Sequence, residues 1–280
     1  MVISKCVYII ILNYKGYNDT LECIESIYCS SYTNFYVVVC DNSSPNESEK
    51  KIMEWKEKNQ DKPFKYIQTG NNYGFAGGNN IGIKYALSKD ADYVWLLNND
   101  TVIRSDTLVE LLKKAESNAR IGVCGSKLMC YDRKDKVQGL AGKYNPFTGR
   151  AGHILKEQEL YKMKYVIGAS MLIKRQVLED IGLLSERYFL YFEELDYAER
   201  MKKKYELAIA LRSIVYHREG ASIGNGDAFS SYYLFRSGLI FSKKYYRLCF
   251  PVVFIITFFR IMCPWKIKKY NRFEMIKRLL

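Results

Sequence analysis

Four polar clusters interrupt this chain where apolar runs end: "LNY" (Leu12 to Tyr14), "CDNSS" from Cys40, "NNYGFAGGNNIGI" over 71–83, and "LLNNDT" over 96–101. Asp41 in the second is a carboxylate that can accept a pyrimidine ring N–H or a ribose hydroxyl; it can equally turn the chain, as can Asn42 and Ser43. The third carries four Gly and four Asn in thirteen positions. Bare backbone N–H groups next to a helix start receive diphosphate oxygens, whereas a turn would need positive φ at Gly74, Gly77 or Gly78. The fourth offers one carboxylate, Asp100, with the amides of Asn98 and Asn99. A hard divalent cation shared with substrate phosphates suits that donor set, and so does a helix N-cap. Further on, "FEELDYAERMKKK" holds Glu193, Glu194, Asp196 and Glu199 in seven positions, a density that general-base chemistry or helix-dipole complementarity explains. His217 in "IVYHREG" is one of two histidines, and its imidazole is a metal ligand or a plain hydrogen-bonding group. No role attaches to His153.

The elements that position these groups read as strands and helices in alternation. Residues 5–12, 35–40, 65–68 and 93–97 are short buried strands, with a fifth over 122–128. Between them fall helices over 18–30, 48–58, 77–88 and 105–117. That alternation predicts right-handed crossovers and a mostly parallel sheet. In such a sheet, ligands sit beyond the carboxyl ends of the strands, where all four polar clusters lie. The region 131–155 is Gly-rich and irregular, resembling hairpins or a mobile loop. An apolar strand "KYVIGASMLI" follows, then helices from Lys174 and over 193–204. The Gly-rich stretch is neither a Walker loop nor a G-x-G-x-x-G fingerprint.

Taken in order, "YIIILNYKGYNDTLECIESI", "VVVCDNSS", "NNYGFAGGNNIGI", "WLLNNDTVI", "GASMLIKR", "FLYFEELDYAERMKK" and "VYHREGAS" resemble the family-2 glycosyltransferases of GT-A fold, most of all the rhamnosyltransferase-like branch. The resemblance covers roughly residues 5–240. It implies an α/β nucleotide-binding sheet flanked by helices and an inverting, metal-dependent transfer from a nucleoside-diphosphate sugar of dTDP or UDP type. The family's D-x-D triplet falls on Asn98-Asn99-Asp100, so its first acid is Asn here. The implied metal ligands are Asp100 and His217, holding Mg2+ or Mn2+. The implied nucleotide-sugar contacts are Asn13, Asp41, Gly74, Gly77, Gly78, Asn80 and Asn98. The family's Glu-Asp pair lands on Glu193-Glu194, making Glu194 the implied general base, with Glu193 and Asp196 as alternatives. Gly168-Ala169-Ser170 and the region 131–155 would face the acceptor.

Composition limits the remaining possibilities. Apolar content of 48% with 26% charged residues marks a globular chain. The eight cysteines have no C-x-x-C spacing and read as reduced, and "MVISKCVYIIIL" lacks the marks of a signal peptide, so a cytoplasmic setting is expected. The net charge of +13 is concentrated at the end: residues 236–280 hold 11 Lys/Arg against Glu274, or +10. The chain therefore divides into a glycosyltransferase domain over 1–235 and a basic, apolar, amphipathic helical tail over 236–280. Its "LCFPVVFIITFFRIMCPW" is too interrupted to span a bilayer but suits an anionic leaflet surface. The alternative is a helix pair packed on the domain's own core. The expectation is a peripheral enzyme on the inner face of the plasma membrane, acting on a glycan or lipid-linked acceptor in cell-surface polysaccharide synthesis, without nucleic acid as a partner. Rival readings are a non-catalytic sugar-nucleotide-binding module, a nucleotidyltransferase (which would want a basic residue within 70–83, where none occurs) and a membrane scaffold.

Overall fold

The computed structural model describes residues 4–218 and 228–262. Apolar, β-branched runs form the parallel strands β1 (Val7–Asn13), β2 (Phe35–Asp41), β3 (Phe64–Gln68) and β4 (Tyr93–Asn98). Helices α1 (Tyr17–Tyr28), α2 (Ser48–Lys58) and α3 (Gly74–Leu87) connect them. After β4 come β5 (Thr101–Ile103), α4 (Thr107–Ala115) and β6 (Ile121–Cys130), then β7 (Val137–Gly139), β8 (Ala141–Asn145) and β9 (Arg150–Ile154). The chain closes with β10 (Ser170–Lys174), α5 (Arg175–Ile181), α6 (Glu193–Met201), β11 (Glu206–His217), α7 (Ala228–Tyr245) and α8 (Phe250–Met262).

The main sheet runs β3-β2-β1-β4-β10-β6-β11-β5, with β7 on β6 and β8-β9 as a separate hairpin. Strands β3, β2, β1, β4, β6 and β11 point one way; β10, β7 and β5 oppose them. This is the mostly parallel α/β sheet that the alternation predicts. Consecutive strands β4 and β5 are four places apart in it, so the sheet curls back at Asn99-Asp100. Alternation along β1 sends Val7, Ile9 and Ile11 to a core shared with α1, α2 and α4, and Tyr8 and Ile10 to one shared with α3, α5 and α6. Region 131–155 is built of hairpins.

One local expectation is corrected. The Gly/Asn stretch is helical from Gly74 onward, because tertiary packing overrides the poor helix propensity of Gly and Asn. A Cβ on Gly78 would lie 2.4 Å from Leu12 Cδ1, so this glycine lets α3 approach β1 closely, and one on Gly77 would lie 2.6 Å from Cβ of Tyr73, the residue that precedes the helix. Of Gly74, Gly77 and Gly78 only Gly74 has positive φ, +69°, and a Cβ there would lie 2.1 Å from the backbone oxygen of Phe189. The amides of Gly74 and Phe75 already donate to Asn72 Oδ1 (3.0 Å) and Phe189 O (2.8 Å). The side chain of Asn80 is buried, its Nδ2 donating to Leu184 O at 3.0 Å and its Oδ1 accepting from Leu184 N at 3.1 Å. These residues pin the approach to α6 against α3.

The expected boundary at 235 falls within α7, whose Phe241 is fully buried against Tyr144 and Phe192. Helix α8 buries Val253, Thr257 and Ile261 while Ile255, Phe258 and Phe259 stay exposed. No helix among the described residues is long and apolar enough to cross a membrane. Residues 263–280 of the basic tail lie outside the described residues.

The packing at Gly74 makes a graded prediction. Gly70→Ala, at φ +84° with open space around it, should cost only the left-handed penalty, about 1–2 kcal/mol. Gly74→Ala adds a backbone clash and should cost roughly 2–5 kcal/mol in urea unfolding.

Candidate active site

Sheet register brings the strand ends level. Asn13 pairs with Asp41 across β1 and β2, and Leu12 pairs with Asn98 across β1 and β4. Asp41 is fully buried. Its Oδ2 accepts from Asn13 Nδ2 at 2.5 Å and its Oδ1 from the Ser44 amide at 2.7 Å. Asn13 Oδ1 accepts from Thr20 Oγ1 at 2.9 Å, and Thr20 Oγ1 in turn accepts from Asn99 Nδ2 at 3.1 Å. A buried polar chain thus ties β2, β1, α1 and the turn after β4 together. Thr20 is a member that no sequence motif singles out.

Beyond Asn98 the turn delivers Asp100 opposite the end of β11. His217 pairs with Thr101, and its Nε2 lies 3.2 Å from Asp100 Oδ1. That oxygen is buried and no hydrogen-bond donor is aimed at it. Asn98 Nδ2 stands 3.5 Å from the same ring nitrogen, while His217 Nδ1 meets Gln138 Oε1 at 2.7 Å. Arg218 fastens this end of β11. Its amide donates to Asp100 O at 3.0 Å, its Nη1 lies 2.6 Å from Asp19 Oδ1 and 2.7 Å from Glu22 Oε2, and its guanidinium covers the Tyr131 ring.

Among the described residues no three His, Cys, Asp or Glu side chains converge as a complete metal cage. The donor set nevertheless fits a hard cation. An orphaned buried carboxylate oxygen beside an imidazole nitrogen supplies two ligands, and such ions take the rest from phosphate oxygens and water.

On the other side of Asn98 lies α6. Tyr191 (φ 66°) and Phe192 (φ 73°) both adopt left-handed backbone before it, a costly conformation for aromatic residues that is held here by the packing of Phe192 on Tyr144 and Phe241. Glu194 Oε1 accepts from the Gly168 amide at 3.2 Å, and a Cβ on Gly168 would sit 2.8 Å from that oxygen. The next residue, Ala169, accepts at its carbonyl from the Asn98 amide at 3.1 Å. Glu194, Gly168, Ala169, Asn98, His217 and Asp100 therefore form one continuous line of contacts along a single rim.

The alternative acids separate by environment. Asp196 is fully buried and receives Tyr188 OH, Lys244 Nζ, Tyr245 OH and Arg200 Nε, at 3.3, 2.7, 2.9 and 2.9 Å. Its oxygens are committed, and it serves as an anchor between α6 and α7. Glu193 is buried with Oε2 unpartnered; burial and the neighbouring Glu194 charge raise its pKa well above the ordinary carboxyl value. Burial also raises the pKa of Glu194, opposed by hydrogen bonds from its own amide and that of Gly168. Partly exposed and amide-bonded, Glu194 is the member of the pair that ionises first.

The sequence matches the family described as "Glycosyl transferase family 2" over residues 7–182. The chain belongs to glycosyl transferase family 2. It is 29% identical over 206 residues to the low-salt glycan biosynthesis hexosyltransferase Agl10 of Haloferax volcanii, covering 70% of this chain and 61% of that protein. It is 23% identical over 185 residues to the dTDP-rhamnosyl transferase RfbF of Shigella flexneri, covering 66% and 60%. The chain thus spans about three fifths of the length of these curated relatives. The mannosyltransferase PcManGT of Pyrobaculum calidifontis, solved with GDP-Man and Mn2+, superimposes with a TM-score of 0.64 at 14% identity, covering 99% of this chain and 75% of that one. That likeness shows the GT-A fold.

Glu193 gives this family-2 member a pH-dependent stability. Below the ordinary carboxyl value of 4.5, Glu193 is protonated folded and unfolded. Above it the unfolded residue ionises while the folded one holds its proton, so the native state loses stability as pH rises through that window. Glu193→Gln should therefore raise the melting temperature at pH 8 and lose that advantage well below the ordinary value, at pH about 3.5, as read by thermal denaturation.

Proposed function

We propose that the protein is an inverting glycosyltransferase, moving a sugar from a nucleoside-diphosphate donor to a hydroxyl of a glycan or lipid-linked acceptor. The observation that carries this reading is the placement of Glu194 on one side of Asn98 and the Asp100–His217 pair on the other. The donor's nucleoside enters over the Asn13–Asp41 end of the crevice, and its diphosphate reaches Asp100 and His217. Those two side chains would hold a divalent cation, Mg2+ or Mn2+, whose charge offsets that of the departing diphosphate. Glu194 accepts the proton of the acceptor hydroxyl as that oxygen bonds to the anomeric carbon. The bond from that carbon to the diphosphate breaks, and free nucleoside diphosphate leaves. One carboxylate on the attacking side suffices, which is why inversion is proposed. A non-catalytic module would have no use for a poised, partly exposed Glu194.

Rhamnose as the sugar, with dTDP as its carrier, is supported by the similarity to the dTDP-rhamnosyl transferase, and UDP is the alternative carrier. A role at the inner face of the plasma membrane, in cell-surface polysaccharide synthesis, is supported by α8. Its outward face presents Val252, Ile255, Phe258, Phe259 and Met262, all exposed, beyond Leu248 at 96% exposure. Residues 236–280 carry +10, which draws such a face to anionic lipid.

Two measurements test the proposal. Glu194→Gln should lower turnover by roughly 10²–10⁴-fold, scored as release of nucleoside diphosphate across a panel of sugar nucleotides, with donor binding retained; turnover within a few-fold of wild type would refute the base. Replacing Ile255, Phe258 and Phe259 by Ser should abolish sedimentation with phosphatidylglycerol vesicles, and undiminished sedimentation would remove α8 as the docking face.

A further inference from the structure

Strand β7 pairs with β6 out of step. Leu128 faces Gly139 and Met129 faces Val137, so Gln138 is the extra residue of a β-bulge. A bulge of this kind re-aims one side chain while the strands on either side keep their register. Here the re-aimed side chain reaches His217 twice. Gln138 Oε1 lies 2.7 Å from His217 Nδ1, and Gln138 Nε2 donates to the His217 carbonyl at 3.4 Å. The second contact orients the amide, leaving its oxygen end against the ring.

An amide oxygen only accepts hydrogen bonds. The ring nitrogen facing it must therefore carry hydrogen, and the lone pair of a neutral imidazole is left on Nε2. One neighbour agrees with that assignment: Asn98 Nδ2, a donor, stands 3.5 Å from Nε2. Asp100 Oδ1, an acceptor, stands 3.2 Å from the same nitrogen. Against a lone pair on Nε2 that oxygen calls for positive charge between them, supplied by a second ring proton or by a metal cation.

We infer that Gln138 is a positioning residue: it fixes His217 as the Nδ1–H tautomer and so presents Nε2, beside Asp100, as a cation ligand. The inference rests on the reading of Asp100 and His217 as the cation-holding pair, and adds to it a residue from a different strand. Partners in this relation to a ligating histidine govern affinity through ring orientation and basicity, without touching the ion.

The chain's two histidines make the tautomer directly readable. The metal-free protein labelled with 15N-histidine would be examined by two-bond 1H–15N correlation in alkaline buffer, so that the ring carries a single proton, with His217 assigned by difference from His217→Asn. The expected wild-type pattern is a protonated Nδ1 and an unprotonated Nε2. Gln138→Leu should convert this to a mixture or to the Nε2–H form, while Gln138→Glu, which keeps an acceptor at the same place, should retain it. Binding of Mn2+ alone, followed by electron paramagnetic resonance, should weaken by about 10–100-fold in Gln138→Leu and recover in Gln138→Glu. Protonated Nε2 in the wild type, or an unchanged tautomer in Gln138→Leu, would overturn the role of Gln138 and leave the cation pair standing. A wild type with the expected tautomer that takes up no Mn2+ would overturn the cation reading of Asp100 and His217, and this inference with it.

Discussion

The architecture of this protein turns on a short piece of backbone. Asn99 and Asp100 must carry the chain from β4, in the middle of the sheet, to β5 at its far edge. That demand curls the sheet, sets Asp100 against the end of β11, and leaves a carboxylate oxygen buried without a donor. An unsatisfied buried acceptor costs about 1–3 kcal/mol, more when charged. The surroundings oppose relaxation of the turn: the Asn99 side chain is bonded to Thr20, the Asp100 carbonyl to the Arg218 amide, and Arg218 to two acids on α1. These ordinary contacts hold the turn, and with it the buried carboxylate oxygen, in place.

The opposite wall of the crevice is built by the same kind of compromise. Two consecutive aromatic residues in left-handed backbone launch α6, and two adjacent glutamates share its first turn. Aromatic packing of Phe192 and the clasp of Asn80 on residue 184 hold the strained entry in place. The two acids differ because one is enclosed and the other meets the Gly168 amide. Position along one helical turn, with no difference in residue type, separates a proton-holding glutamate from one able to take a proton.

Much of this was legible in the sequence. Apolar runs bounded by polar clusters located β1 to β4, and the rule for strand ends located the crevice. The start of α3 is not visible in the sequence because Gly74, Gly77 and Gly78 look like loop residues when their neighbours are unknown; in the structure Gly78 packs closely on Leu12 and Asn42. Strand β5 is too short for any periodicity, although the sheet's curl depends on it. Gln138 left no trace, since its importance comes from a register shift against Leu128 and Met129 and from a histidine 79 positions away. Asp196 looked like a candidate base because local sequence cannot show four donors arriving from Tyr188, Arg200, Lys244 and Tyr245.

That last carboxylate has an evolutionary corollary. Asp196 draws cations from two different helices and phenols from two further positions onto one buried carboxylate, with Arg200 and Lys244 together exceeding its single negative charge. A neutral residue there would leave both cations without their shared counter-charge, and loss of Lys244 alone would strip the acid of half its own. Descendants of this chain are therefore expected to exchange these three residues as a set, and a chimaera joined between α6 and α7 has to take both helices from the same parent.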